Sequence, residues 1–501
     1  LNSILTTAGN YIKNTPNKDE IPEEVIEPTI EIMKKCVKLH DRNAPLMCKV
    51  LDLATLLNTD RYKPRVDEIG LIKSMNNDLN TFKGDHDYLN SCLNTLSKLT
   101  KDSPVNGQEA LDCGLLKQLN DEVSNIVQEG PEKYEENKGE NEDENGYLKT
   151  CYNLSRLYDN LVKNDLNNVD KFNKMGITDN TLNMLKVFND KVEPMTEEER
   201  LAETRKPISD SIDRDSDEYA NYLRPPELIR GIMKHCAGTL EQVTIPPSSN
   251  EYLASKTDFG DTINKTLENE NNEPDYLISG LHALSNHLFN ENGPNYDKLN
   301  LPETYKLLKD LQQNYYSNPD ILQHVNCIAG ALVKNLKGDK DGREYTKKFY
   351  DLIPESTKLQ DYNPDLVNMS LKLMGDGLEK KPYLTEEVYD ETVPNVLNLL
   401  KLYKDNPEIQ ENGYKILTLM AKNNVFSSAM MNNGLLDCLK NTLDNASNGD
   451  ETNNVIDLKS EVYRLINGLA KDKDNCPKIA DELMRNLILE VGEKGYNDEG
   501  K

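Results

Sequence analysis

Asn406-Pro407-Glu408-Ile409 opens a stretch that closes on Lys422-Asn423, and Asn318-Pro319-Asp320-Ile321 opens another that closes on Lys334-Asn335, of equal length and without a gap. Apolar positions coincide between the two frames: Ile328 with Ile416, Ala329 with Leu417, Ala331 with Leu419, Leu332 with Met420. A third copy starts at Asn363-Pro364-Asp365-Leu366, so the starts are spaced by 45 and then 43 residues. Self-similarity at a fixed period of this size marks a chain built from stacked supersecondary units.

A second marker, a Gly followed by aliphatic residues, recurs at Gly70-Leu71-Ile72, Gly114-Leu115-Leu116, Gly176-Ile177 and Gly434-Leu435-Leu436. Gly adopts left-handed backbone without strain, so each is expected to end the last helix of one repeat before the next begins. Gly70 to Gly114 is 44 residues; Gly114 to Gly176 is 62, and removing the 18 residues Glu129 to Gly146 restores 44. That acidic stretch is expected to be an insertion that leaves the register intact. A third frame sets Gly413 to Lys422 against Val462 to Lys471, each an amphipathic helix that buries one face. Weaker copies are Cys92 to Lys101, Cys48 to Leu57, Tyr147 to Tyr158 and Tyr276 to Leu288. No strand-like alternation of useful length lies between them. The expected fold class is all-α, with about nine to ten helical repeats.

A period of roughly 40 to 47 residues belongs to armadillo and HEAT repeats, and His282-Ala283-Leu284-Ser285-Asn286 resembles the Trp-Ala-Leu-Ser-Asn run on the third helix of armadillo repeats in nuclear import adaptors. Tyr463-Arg464-Leu465-Ile466-Asn467 is a second, poorer match. The resemblance in period covers most of the chain and implies an armadillo-type right-handed superhelical solenoid. In that family the Asn side chain holds the backbone of an extended peptide and the Trp packs against the peptide's side chains. It therefore implies a protein-binding groove with Asn286 and Asn467 at the Asn position, and His282 and Tyr463 at the aromatic one. The alternative role for both Asn residues is capping or packing, in a chain where Asn is abundant and much of it falls between helices. The chain has no Trp, which departs from the import-adaptor pattern.

Two charge-rich stretches interrupt the repeats. Glu193 to Ala220 carries Glu197-Glu198-Glu199, Asp213, Asp215, Asp217 and Glu218 without apolar periodicity, and ends near Pro225-Pro226. It places an acidic linker or long loop at 191–226, between repeats in 1–190 and repeats in 227–490. Pro246-Pro247-Ser248-Ser249 begins a second expected loop, 246–275, and 491–501 forms a tail.

A net charge of -27 argues against nucleic acid and anionic membranes as partners, since both demand Lys and Arg. It favours basic ones. No stretch approaches eighteen consecutive apolar residues and no leader pattern opens the chain, which begins on Leu1 and is consistent with further residues upstream. Nine Cys are spread singly through helical stretches, the pattern of reduced core thiols in a cytoplasmic protein.

The motifs that carry chemistry are missing. Six His include no His-Glu-x-x-His and no pairing with Cys-x-x-Cys, so neither metal nor cofactor is expected. His235-Cys236 are adjacent and point apart on a helix. No Gly-x-Ser-x-Gly elbow or phosphate-binding Gly-rich loop occurs. Asn141 to Gly146 spaces oxygen ligands as a calcium loop would, but the twelfth position is Tyr152 where the bidentate Glu belongs. The expectation is a non-catalytic scaffold or adaptor that binds extended or basic protein segments, plausible for cytoskeletal filaments or motors by analogy. The alternative is a transport-adaptor or small-GTPase-regulating armadillo protein that captures a polybasic segment in an acidic groove.

Overall fold

The computed structural model describes residues 1–39, 43–137, 145–192, 225–255, 259–268, 274–288, 299–422, 424–448 and 453–483. Among these residues every regular element is a helix and no strand occurs. The chain divides into two compact units, Leu1–Pro294 and Asn295–Lys501.

The first unit begins with α1 (Asn2–Asn14), α2 (Glu23–Val37) and α3 (Ala44–Leu56). Four groups of three follow; in the first three a short helix precedes a longer one, in the fourth both have nine residues, and in each the third helix packs on its predecessors. They are α4 (Lys63–Asp67), α5 (Leu71–Thr81) and α6 (His86–Thr100); then α7 (Pro104–Asp112), α8 (Leu115–Asn137) and α9 (Gly146–Asn164). The others are α10 (Val169–Lys174), α11 (Ile177–Asn189) and α12 (Pro225–Val243), then α13 (Pro247–Ser255), α14 (Phe259–Leu267) and α15 (Pro274–Leu288). Helices α1, α3, α6, α9, α12 and α15 pack each on the next as a ladder, and α5, α8, α11 and α14 form a second row behind it.

The glycine marker is resolved and corrected here. Gly70, Gly114 and Gly176 all have positive φ, at 77°, 84° and 77°, as left-handed backbone requires. They lie between the short helix and the longer one inside a group, not after the third helix. The direction change they make is the break between α4 and α5, α7 and α8, and α10 and α11.

The second unit runs α16 (Leu301–Asn314), α17 (Pro319–Asn335), α18 (Lys340–Leu359), α19 (Pro364–Lys380), α20 (Leu384–Leu402), α21 (Pro407–Met420), α22 (Asn424–Asn432), α23 (Leu435–Asn448) and α24 (Asn453–Leu469). Its ladder is α17, α19, α21 and α24, with α16, α18, α20 and α23 behind. The Asn-Pro starts mark real helix starts: Asn318 accepts from the Ile321 amide, Asn363 from Leu366 and Asn406 from Ile409, each at 3.2 Å. Pro follows at the first helical position, where its missing N–H is no loss. Such a cap is worth about 1 kcal/mol.

The abundant amides also link neighbouring helices. Asn58 donates to the Lys98 carbonyl at 2.9 Å, Asn160 to that of Ser97 at 3.0 Å, and Gln312 to that of Leu352 at 2.7 Å. Inside the second ladder the buried Asn326 donates to Ser370 at 2.9 Å. The Lys98 carbonyl, in the last turn of α6 where intrahelical partners run out, is thereby satisfied by Asn58.

Three expectations about boundaries change. The core of the first unit continues past 191–226: α12 packs on both α9 and α11, burying Leu228, Ile232, Met233, Cys236 and Leu240, and the division falls at 294/295. Charge interrupted the sequence there without interrupting the ladder; residues 193–224 themselves lie outside the described residues. The expected loop 246–275 instead contains α13 and α14, because Phe259, Ile263 and Leu267 recur at four-residue spacing and bury one face. Of the expected insertion 129–146, α8 extends through Asn137 across Gly130, at φ 82°, while 138–144 lie outside the described residues, as does the tail 491–501.

Candidate protein-binding face

The ladder helices set the geometry of the face. In the first unit Tyr152, Arg156, Asp159 and Lys163 recur at three- and four-residue spacing on α9, which puts them on one stripe. Asp159, only 5% exposed, lies 2.9 Å from Nδ1 of His235 on α12, and the Lys163 ammonium lies 2.9 Å from the same carboxylate. A carboxylate can only accept, so Nδ1 of His235 donates. Close approach depends on Gly238, where a Cβ would fall 2.6 Å from Asp159 Oδ1. The Tyr152 ring meets His235 edge-on at 5.5 Å, while Arg156 stands 5.6 Å over the same ring. Arg156 also donates to Ser97 Oγ at 3.0 Å and Asn94 Oδ1 at 2.7 Å on α6, tying three successive rungs together.

The next rung holds two of the residues expected from sequence. His282 on α15, 37% exposed at its side chain, places Nδ1 2.9 Å from Glu241 Oε1 on α12. Asn286, one turn later, directs its amide at the Glu241 carbonyl (3.5 Å) and the Thr244 hydroxyl (3.3 Å). Burial pushes the Glu241 carboxyl up, but hydrogen bonds from His282 and Ser279 and the nearby charges of His282 and Lys163 outweigh it and hold the group below the ordinary carboxylate range.

In the second unit Asn412 on α21 donates to Asn368 Oδ1 on α19 at 2.8 Å, and Asn368 donates to Glu408 Oε2 at 3.0 Å. Lys415 lies 3.4 Å from Asp376 and 3.6 Å from Glu379. Glu411 faces Asp457 and Glu461 of α24; burial first, and then those like charges, push its carboxyl above the usual range. Tyr463 is half-buried and Asn467 exposed on α24, one turn apart. The four expected residues thus form two pairs, one in each unit. The sequence missed the Asp159–His235–Lys163 cluster because its members are up to 76 residues apart; only the spacing along α9 signalled one end of it.

What this arrangement offers chemically is a row of donors and acceptors at successive rungs. The adjacent His235 and Cys236 diverge as expected: His235 is engaged by Asp159, and burial pushes the Cys236 thiol far above its usual range. All nine Cys are free. Among the described residues no group of His, Cys, Asp and Glu could hold a metal ion, and no helix is long and apolar enough to cross a membrane.

Comparison with solved structures bears on the fold. One chain, from a study of a conserved phosphorylation switch that controls the interaction between cadherin and beta-catenin in vitro and in vivo, superposes with a TM-score of 0.57. The match covers 93% of this chain and 80% of that one, at 13% identity. The likeness is one of fold. A crystal structure of an engineered protein covers 48% of this chain and 92% of its own with a TM-score of 0.39 and 12% identity, too loose a match to bear on the architecture. No family model matches the chain, and no curated protein matches it.

Proposed function

We propose that this chain is a non-catalytic protein-binding scaffold of armadillo type, each unit a stretch of solenoid whose ladder helices receive extended protein segments. The observation that carries the reading is the repetition of partly exposed polar groups at successive rungs: His282 with Glu241 in the first unit, Asn412 with Asn368 and Lys415 in the second. Repeat proteins use such stacked faces to hold extended partners. The superposing chain comes from work on cadherin binding by beta-catenin, which is the same general use of the fold. Buried, high-pKa thiols fit a reducing compartment, and we place the protein in the cytoplasm. Attachment to cytoskeletal filaments or motors is the leading assignment. Neither nucleic acid nor an anionic membrane is a partner of so acidic a chain.

The second reading, capture of a polybasic segment by a transport or GTPase-regulating protein, is favoured by the acidic surroundings of Glu411. Salt separates the two. Partners are captured on the full chain, identified by mass spectrometry and re-bound as purified proteins. Filament co-sedimentation that persists in moderate salt, and weakens in the Lys415→Ala/Asn412→Ala variant, supports the scaffold. Binding that collapses steeply with salt supports the polybasic segment. Binding unchanged in ladder variants of both units contradicts the face itself.

A further inference from the structure

Three successive turns of the second unit are built alike. Tyr315 to Asn318 joins α16 to α17, Gln360 to Asn363 joins α18 to α19, and Tyr403 to Asn406 joins α20 to α21. In each, the amide of the Asn cap donates to the carbonyl three residues back, at 2.9, 3.0 and 3.0 Å. The turns also touch one another: Gln360 Nε2 donates to the Tyr316 carbonyl at 2.8 Å, and the Tyr403 hydroxyl to that of Asp361 at 2.5 Å. They therefore form one edge of the unit, each a rung from the next.

Every one of these turns exposes a large apolar side chain: Tyr316 at 57%, Tyr362 at 69%, and Leu402, directly before the third turn, at 54%. The turn itself does not require this. The turn Phe82 to Asp85 of the first unit closes with the same bond, at 3.0 Å, yet Phe82 leans edge-on against the buried Tyr88 at 4.9 Å. Single exposed apolar residues are ordinary on a protein surface, whereas three on touching turns make a patch.

Charge and spacing decide what fits the patch. The three turns and the first helical turn after each carry Asp320, Asp361, Asp365, Asp405 and Glu408 against one cation, Lys404. Two further lysines nearby are directed elsewhere: Lys358 lies 3.7 Å from Glu355, and the Lys401 ammonium lies 3.6 Å from where a Cβ on Gly434 would stand. Exposed rings flanked by carboxylates suit a cation that can stack and pair at once. Packed helices lie about 8 to 10 Å apart. Three residues of polyproline II advance about 9 Å and return the side chain to the same side. Same-side residues of a β-strand recur at about 6.6 Å and fall out of step.

We propose that this edge binds a partner segment in polyproline II conformation with arginine at every third position. Two guanidinium groups stack on Tyr316 and Tyr362 and pair with the carboxylates beside them; the stem of a third lies on Leu402, with its charge towards Asp405. The exposed side chains belong to the turns and the end of α20, not to the ladder helices, so this surface and the ladder face fail separately.

The test follows the fluorescence anisotropy of a labelled peptide of four Pro-Pro-Arg repeats as the full chain is added. Salt is held at about 0.15 M, where long-range attraction to a chain of charge -27 is largely screened. Saturable binding is expected. The Tyr316→Ser/Tyr362→Ser variant should bind at least fivefold more weakly, whereas Tyr316→Phe/Tyr362→Phe should retain binding, since the ring and not the hydroxyl carries the contact. Tyr11→Ser, at an exposed tyrosine of the first unit, should change nothing. Circular dichroism and melting temperature check that each variant folds. Two control peptides, one with its four arginines contiguous and one with Gln in place of Arg, should each bind at least fivefold more weakly. No saturation, unchanged affinity in the Ser variant, or equal binding by either control peptide would overturn the assignment.

Discussion

The two units solve one problem with different residues. In the first, a left-handed glycine separates the short helix from the longer one, at Gly70, Gly114 and Gly176. In the second, α18 and α20 run unbroken for 20 and 19 residues, with Pro354 and Pro394 inside them; only the last group, with Gly434 at φ 88°, returns to glycine. Glycine turns the chain outright, whereas proline removes one helical hydrogen bond and leaves the helix continuous. The row behind the ladder is therefore set by local backbone chemistry, and the ladder itself by packing.

The ladders differ too, and the largest expected effect tests that difference. The first unit buries its central carboxylate, Asp159, between His235 and Lys163, whereas the second leaves Lys415 and Asp376 both more than a third exposed. Asp159→Ala should cost about 2 to 3 kcal/mol, since partners of a buried charge are left behind. Lys415→Ala should cost under about 0.5 kcal/mol, as exposed pairs do. Urea unfolding of both variants checks the contrast, and equal losses would erase it.

Next comes the backbone. Gly114→Val should destabilise by about 2 kcal/mol, because a β-branched residue is forced to positive φ although its Cβ would meet nothing within 4 Å. Gly114→Asn should cost less, since Asn tolerates that region. Pro394→Ala should change stability by less than about 1 kcal/mol, the helix there being already continuous. Melting temperatures of the three variants rank them.

A smaller effect, opposite in sign between units, concerns pH. Glu241 titrates below its ordinary range, so its ionised form stabilises the first unit above about pH 4.5 and that contribution fades as pH falls through the lowered value. Glu411 titrates above its ordinary range, so the folded state holds its proton longer than the unfolded chain and stability drops as pH rises through the interval. Glu241→Gln should lower the melting temperature at pH 7, whereas Glu411→Gln should raise it slightly. Both differences should shrink towards pH 3.

The smallest effects sit at the residues chosen from sequence. If Asn286 and Asn467 clamp a peptide backbone, Ala at each weakens partner binding by about 1 to 3 kcal/mol without earlier melting. Asn286 also touches the end of α12, so a cap-like role would appear instead as a lower melting temperature with normal affinity. Measuring both on the same preparations decides it.

The helices were legible because their signals are local. Asn318, Asn363 and Asn406 announce caps, and the glycines announce left-handed turns. The position of those glycines within the repeat was not legible, since a helix as short as α4, with five residues, carries too little periodicity to count. Helix α14 was hidden by acidic neighbours that outweigh the three apolar residues on its buried side, and α13 by having Leu253 as its one core aliphatic among the described residues. Of the proposed site, only what lies within one helix could be read from the sequence. His282 and Asn286 share a rung, but the Glu241 that organises them lies 41 residues away from His282 and had no motif of its own.

The most direct test of the proposed protein-binding ladder is site-specific photo-crosslinking in the full chain with a purified partner. The crosslinker is placed in turn at His282, Asn368 and Lys415 on the ladders, and at Lys309 and Lys348 on the row behind. The account predicts crosslinks to extended partner segments from the ladder positions of each unit and few from the row behind. Crosslinks arising only from Lys309 and Lys348 would contradict it.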